Sequence, residues 1–288
     1  MILKLQNVSF GYKQKDLFKN IDLSICAGEI VAIVGQNGCG KTTLLKLMGD
    51  FLKPRRGSVS VENGKKERSE LCSGVLENPV FWNYMTGIEN LQYYLGKDYS
   101  QDEIDKYAEK WNLSYMMNKT VKQYSLGMKQ KLALILAFVS SNPIMLLDEP
   151  TNALDQPSVE FFVQCMQEAK QKGKIVIIAT HIIYELTRYC DKIYLMKDGN
   201  ISSYKHIDDE YTITFETKED ALEASKIIKD DEVIYLEEMK IYVRPNNRSI
   251  SEIVKETAKC NIVDVKKELL TFDKICEKSR NMGGNYEE

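Results

Sequence analysis

Apolar positions along the chain fall into two periods, and their order predicts an α/β protein. Ile2, Leu3, Leu5, Val8 and Phe10 alternate in part with polar residues and predict an opening strand. Ile21, Leu23 and Ile25 repeat the period of two over Asn20 to Ile25, and Gly57 to Val61, before a turn at Asn63-Gly64, predicts a short hairpin strand. Four runs are continuous instead: Ile30–Val34, Ile144–Leu147, Ile175–Ala179 and Ile193–Met196. Uninterrupted apolar runs flanked by helix-like segments are the pattern of parallel strands covered on both faces. Residues 80–142 change character, with helix formers and a helical spacing at Ile104, Tyr107, Ala108 and Trp111. They predict a mostly helical insertion whose aromatic stripe is core rather than a cofactor box. From Tyr211 the pattern predicts a strand to Thr217, a helix over Lys218–Asp230, strands at Val233–Glu237 and Lys240–Arg244, a helix over Ser249–Cys260, a strand at Asn261–Val265 and a last helix from about Lys267. That order, β-α-β-β-α-β, is a small split-βαβ α+β domain.

The expected organisation is a large α/β domain over 1–204 with the helical insertion at about 80–142, an accessory domain over 205–280 and a disordered tail over 281–288. With 288 residues, 43% of them apolar, the chain has enough material for a large core and a small one. No apolar run is long enough to span a bilayer, and the start carries no signal-peptide pattern. The seven cysteines show no CxxC or metal-like spacing, which predicts reduced thiols in a cytoplasmic chain. Net charge is −3; from Lys205 onward 14 basic and 20 acidic residues leave −6, and hence +3 before it. Neither part has the basic excess that sequence-independent nucleic-acid binding requires, so no nucleic-acid partner is expected.

The chemistry is concentrated after the run Ile30–Val34. Gly35-Gln36-Asn37-Gly38-Cys39-Gly40-Lys41-Thr42, followed by Thr43, fits G-x-x-x-x-G-K-[ST], the Walker A phosphate loop. Glycines let the backbone approach phosphates without Cβ clashes, and the turn aims its N–H groups at them. The following helix adds its positive end. Lys41 is placed to reach the β- and γ-phosphates of a nucleoside triphosphate, and the Thr42 hydroxyl to ligate Mg²⁺. Asp148 and Glu149 close the run Ile144–Leu147, a Walker B arrangement in which Asp148 holds the metal and Glu149 polarises an attacking water. Ligands of open α/β sheets bind outside the carboxyl ends of the strands, where Gly35, Asp148 and His181 each follow a run. Tyr12, ahead of the phosphate loop, is either an adenine-stacking residue or an ordinary half-buried tyrosine.

Further motifs make the resemblance specific. Tyr124-Ser125-Leu126-Gly127-Met128-Lys129-Gln130 resembles the ABC signature, and Pro150-Thr151-Asn152-Ala153-Leu154-Asp155 resembles the D-loop with Ala153 in place of glycine. His181 matches the switch histidine. The span from Met1 to about Tyr204 thus resembles the nucleotide-binding subunit of an ABC transporter, of the drug- and bacteriocin-resistance exporter type. The resemblance implies an ABC-type P-loop NTPase fold with a mixed sheet, ATP and Mg²⁺ as cofactors, and a composite site. Ser125 and Gly127 of one chain would cover the ATP on the Walker A of a second ATP-binding subunit, in a homodimer or heterodimer. It implies adenine stacking by Tyr12, a γ-phosphate contact by His181, and peripheral attachment to the inner face of the cell membrane through an integral membrane permease. A regulatory or assembly ATPase with no permease is the alternative.

Two departures stand out. Glu77 replaces the usual Q-loop glutamine, within Ser73–Pro79 and ahead of Thr86-Gly87-Ile88-Glu89-Asn90-Leu91; its carboxylate can meet Mg²⁺ or its waters. Cys39 replaces the usual serine or alanine, and its place at a helix N-terminus predicts a lowered thiol pKa and sensitivity to oxidation. The apolar segment Pro79–Met85 is expected either to pack the insertion onto the sheet or to anchor the permease through Trp82 and Tyr84. Leu270–Ile275 loosely resembles a C-terminal element of exporter ATPases.

Overall fold

The structure, a computed structural model, describes residues 1–13, 15–62, 67–76, 80–96, 99–181, 186–204, 211–229, 232–245 and 248–267. The chain divides into two compact units, Met1–Lys205 and His206–Glu288.

The first unit opens with β1 (Ile2–Tyr12) and β2 (Lys15–Cys26), paired antiparallel, with β4 (Arg56–Glu62) on the other side of β1. Gly57–Val61 is therefore a strand, and among the described residues its partner is β1, Ile2 facing Glu62, rather than a local hairpin strand. The expected turn at Asn63-Gly64 lies outside the described residues. The second sheet joins β5 (Cys72–Val75), β6 (Ile144–Asp148), β7 (Ile175–Thr180), β3 (Ile30–Val34), β8 (Lys192–Lys197) and β9 (Asn200–Tyr204) in that order. All pairs are parallel except β8 with β9. Every residue of β3, β6 and β7 is buried, which explains why these runs never alternate.

Helix α1 (Lys41–Met48) follows β3 and packs Leu44, Leu45, Leu47 and Met48 into the core between the two sheets. Full burial of such side chains stabilises by about 1.5–3 kcal/mol each. A short α2 (Arg68–Leu71) precedes β5. The helical part comprises α3 (Gly87–Leu95), α4 (Gln101–Lys110) and α5 (Leu126–Val139), with α6 (Gln156–Gln171) between β6 and β7. The aromatic stripe is core: Tyr107 stacks on Trp111, and Trp111 meets Phe161 of α6 edge to face at 5.0 Å. Its indole N–H donates to the Ser158 carbonyl at 3.3 Å, which fastens α4 to α6.

The second unit runs β10 (Tyr211–Phe215), α7 (Lys218–Ile227), β11 (Val233–Glu237), β12 (Lys240–Val243), α8 (Ile250–Glu256) and β13 (Ile262–Lys267). Its antiparallel sheet has the order β11-β12-β10-β13, as a split βαβ requires. Ile213, Phe215, Ile241 and Val243 form a core with Ala221, Ala224 and Ile253 from the helices. Buried Glu232 receives Arg248 through two nitrogens, and a carboxylate so fully buried requires such a partner. Strand β13 continues to Lys267, where a helix was expected to begin; the remainder of that helix, Leu270–Ile275 and the tail lie outside the described residues.

Candidate functional site

The phosphate-loop segment is the tight connection from β3 to α1. Its first N–H, on Gly35, donates to the Thr180 carbonyl at 3.2 Å, tying the loop to the end of β7. Asn37 and Gly38 stand exposed at the turn. Gly40 is the N-cap of α1 at φ 110°, a conformation that L side chains rarely adopt. The Gly40 cap position has no side chain to cap this helix start.

Lys41 is 6% exposed and bends back over its own loop. Its ammonium donates to the Gly35 carbonyl at 2.7 Å and the Gln36 carbonyl at 3.3 Å, and lies 3.5 Å from Glu149 Oε1. The Thr42 hydroxyl donates to Asp148 Oδ2, joining α1 to the end of β6 across 106 residues. Glu149, the next residue, holds a left-handed backbone at φ 45°. For a non-glycine residue this costs about 1–3 kcal/mol and persists only where the surroundings enforce it. Here the Glu149 N–H donates to the Ala179 carbonyl at 2.8 Å. Its Oε2 accepts from the Thr180 hydroxyl at 3.3 Å and lies 2.9 Å from His181 Nδ1. Lys41, Thr42, Asp148, Glu149 and His181 therefore form one connected set at the carboxyl ends of β3, β6 and β7.

Thr43 is buried on α1, and its Oγ1 lies 3.5 Å from the exposed Tyr12 hydroxyl. The Tyr12 ring meets Phe10 edge to face at 5.2 Å, which leaves it more than half exposed beside the loop. Cys39 departs from expectation. Burial pushes its thiol pKa up, and this outweighs the lowering by Lys41 and backbone N–H groups. The helix end is present, but desolvation of the thiolate is the larger effect.

Ser125 and Gly127 are not in the connected set; they start α5. The Ser125 hydroxyl accepts from the Met128 N–H at 3.2 Å as the helix cap. Gly127 packs on the segment after β6, where a Cβ would come within 2.6 Å of the Ala153 carbonyl oxygen. Ala153 itself is left-handed, at φ 62°. Buried Gln130 donates to the Pro150 carbonyl at 3.0 Å, a second tie between α5 and the residue after Glu149. Gln130 falls within the signature-like motif, but no local pattern in the sequence reveals this bond. Glu77 lies outside the described residues.

A groove of about 590 Å³ opens between β5 and the helical part, lined among others by Phe51, Leu76, Val80, Phe81, Tyr94 and Leu95. Trp82 and Tyr84 are outside its lining. Asn90, within Thr86–Leu91, is fully buried and organises this loop. Its Oδ1 accepts from the Trp82 N–H at 2.8 Å, and its Nδ2 donates to the Trp82 and Thr86 carbonyls at 3.1 and 2.9 Å.

A strand, an uncapped glycine turn, a helix and an adjacent acidic strand end define a P-loop nucleotide-binding protein. The family model described as "ABC transporter" matches residues 18–152, and one described as an AAA domain, putative AbiEii toxin, Type IV TA system, matches 119–187. The chain is 32% identical over 210 residues to the uncharacterized ABC transporter ATP-binding protein YdbJ of Bacillus subtilis, covering 70% of this chain and 68% of the relative. It is 29% identical over 212 residues to the lantibiotic transport ATP-binding protein SrtF of Streptococcus pyogenes, covering 72% and 92%. Among solved structures it resembles an ATP-binding subunit of an ABC transporter, with TM-score 0.64 and 27% identity over 70% of this chain and 90% of that one. The chain belongs to the ABC transporter ATP-binding proteins, a family that binds and hydrolyses ATP.

Proposed function

We propose that this chain powers a separate integral membrane permease by Mg²⁺-dependent ATP hydrolysis, as an exporter of a drug, peptide or similar amphiphile. The observation that carries the ATPase reading is Glu149, with His181 Nδ1 2.9 Å from one carboxylate oxygen and the Lys41 ammonium 3.5 Å from the other. On binding the triphosphate, Lys41 exchanges Glu149 for the β- and γ-phosphate oxygens. Glu149 then takes a proton from the attacking water as the water oxygen bonds to the γ-phosphorus. The bond from that phosphorus to the bridging oxygen breaks, and ADP carries away the electron pair. His181 orients the carboxylate and reaches the γ-phosphate. Gly35, Asn37, Gly38, Cys39, Gly40 and Thr43 enclose the phosphates, and Tyr12 stacks on adenine.

Mg²⁺ suits the Thr42 hydroxyl and Asp148 carboxylate, which are hard oxygen donors already brought together. Such ions take one or two carboxylates and substrate phosphates, without a dedicated protein cage. Glu77 is assigned as a further metal contact. When bound, the metal neutralises charge developing on the phosphates. Ser125 and Gly127 act on the ATP of a second subunit. The domain limits proposed are 1–204, 205–280 and a tail over 281–288. Attachment to the inner membrane face follows from docking a short permease helix in the Phe51–Phe81–Tyr94 groove. Among the described residues no helix is long and apolar enough to cross a membrane itself. The lantibiotic transport named for the Streptococcus relative supports export of an amphiphile.

Glu149→Gln tests the chemistry. Mg-ATP binding should persist while turnover falls by ~10²–10⁴-fold, the range for loss of a general base. Near-normal turnover would remove Glu149 from its role.

A further inference from the structure

The loop from Val80 to Met85 presents large side chains in two directions. Val80 and Phe81 line the groove, whereas Trp82, Tyr84 and, from α3, Tyr93 stand outside it. These three are 55%, 86% and 61% exposed, a concentration of aromatic surface that isolated exposed residues do not make. Trp82 and Tyr93 are nevertheless held in place. Trp82 meets Tyr93 edge to face at 6.1 Å, Tyr93 meets Tyr94 at 5.3 Å, and the Tyr94 hydroxyl donates to the Val80 carbonyl at 3.0 Å. The buried Asn90 amide fixes the backbone beneath them. Little side-chain and loop freedom is therefore lost when this surface is covered.

A second chain segment sets the charge beside it. Residues 119–122 run along the loop: the Gly87 N–H donates to the Lys119 carbonyl at 3.2 Å, and the Lys122 N–H to the Asn83 carbonyl at 2.9 Å. Both lysine side chains are exposed. Glu89, at the start of α3, keeps its charge but turns its carboxylate into the helix cap, where it accepts from the Thr86 N–H at 2.7 Å, and the two lysines outnumber it. Tryptophan and tyrosine, with an apolar ring and a polar tip, are the side chains that settle at the boundary between lipid headgroups and acyl chains. Lysine adds attraction to anionic headgroups.

We propose that the Trp82–Tyr84–Tyr93 surface, with Lys119 and Lys122, rests directly on the anionic lipid surface of the membrane. Charge complementarity and the amphipathic ring chemistry favour lipid here, while the concave apolar groove is the part suited to a protein helix. The inference stands on these side chains and not on the permease assignment.

The test uses the full chain and vesicles of phosphatidylcholine, with or without an equal part of phosphatidylglycerol, at low salt. The chain has two tryptophans, and Trp111 is only 1% exposed, so a change in emission reports Trp82. Phosphatidylglycerol vesicles should shift that emission to the blue and co-sediment the chain, and added salt should reverse both. Lys119→Ala with Lys122→Ala should weaken vesicle binding by roughly 20–30-fold, about fivefold per lysine near the surface. Trp82→Ala should weaken it too, with ATP hydrolysis in solution unchanged. No response to anionic vesicles overturns the proposal, as does binding undiminished in these variants. Shielding of Trp82 only by detergent-solubilised permease overturns it and gives the surface to protein. Vesicle binding needs neither ATP nor permease, so its failure is distinguishable from failure of the transporter reading.

Discussion

Replacing Asn90 isolates the contribution of one buried amide to the loop on which groove and aromatic surface both depend. In Asn90→Ala the three carbonyls facing Nδ2 each keep a donor. Trp82 O retains the Met85 N–H at 3.1 Å, Met85 O the Val121 N–H at 3.0 Å, and Thr86 O the residue 90 N–H at 3.0 Å. The Trp82 N–H, bonded to Oδ1 at 2.8 Å, is the donor left without its acceptor. An orphaned donor costs about 1–3 kcal/mol. The space of the missing amide, roughly 40 Å³ at about 24 cal/mol per Å³, adds about 1 kcal/mol. The sum, about 2–4 kcal/mol, corresponds to a Tm lower by about 4–16 °C for a unit of this size. Calorimetry of the transition belonging to Met1–Lys205 reads it. Asn90→Asp keeps the acceptor but turns a buried carboxylate toward three carbonyls, so at neutral pH it should destabilise more than alanine. Binding of a fluorescent ATP analogue should survive in the folded alanine variant, because Asn90 touches none of the phosphate-loop residues. An aspartate variant as stable as the parent chain would refute the clamp.

Two further outcomes follow from the site. If Ser125 acts on a partner's ATP, Ser125→Arg should abolish turnover while leaving nucleotide binding to the isolated chain intact; mixing it with Lys41→Ala should restore one complete site per heterodimer. No regained activity from a verified heterodimer would count against the composite site. Because burial raises the Cys39 thiol pKa, alkylation at neutral pH should be slower than for a free thiol, and should accelerate as rising pH ionises it. ATP should protect Cys39 further, and rapid labelling at neutral pH in a peptide-mapping experiment would contradict the burial argument.

Features set by neighbours in the chain could be read from the sequence. A strand, a glycine turn and a helix start are contiguous, so Gly35–Thr43 carries its own conformation. The runs at Ile144, Ile175 and Ile193 declare themselves because strands covered on both faces leave no polar position to alternate. The split βαβ order beyond Tyr211 is legible for the same reason, since each element keeps its own period. What the fold alone decided depends on separations that no local pattern encodes. The partner of Arg56–Glu62 is β1, chosen by long-range pairing and not by the turn beside it. The Thr42–Asp148 bond spans 106 residues, and Glu149 reaches Lys41 and His181 only because β6 and β7 lie side by side next to β3. The Cys39 thiol pKa runs opposite to the local expectation because a helix end is local, whereas the desolvation that outweighs it is supplied by everything packed around the side chain. Trp82 and Trp111 both fall in the stretch 80–142 whose composition reads as helical. One is covered by α6 and the other faces outward, and that difference arises only when the elements pack.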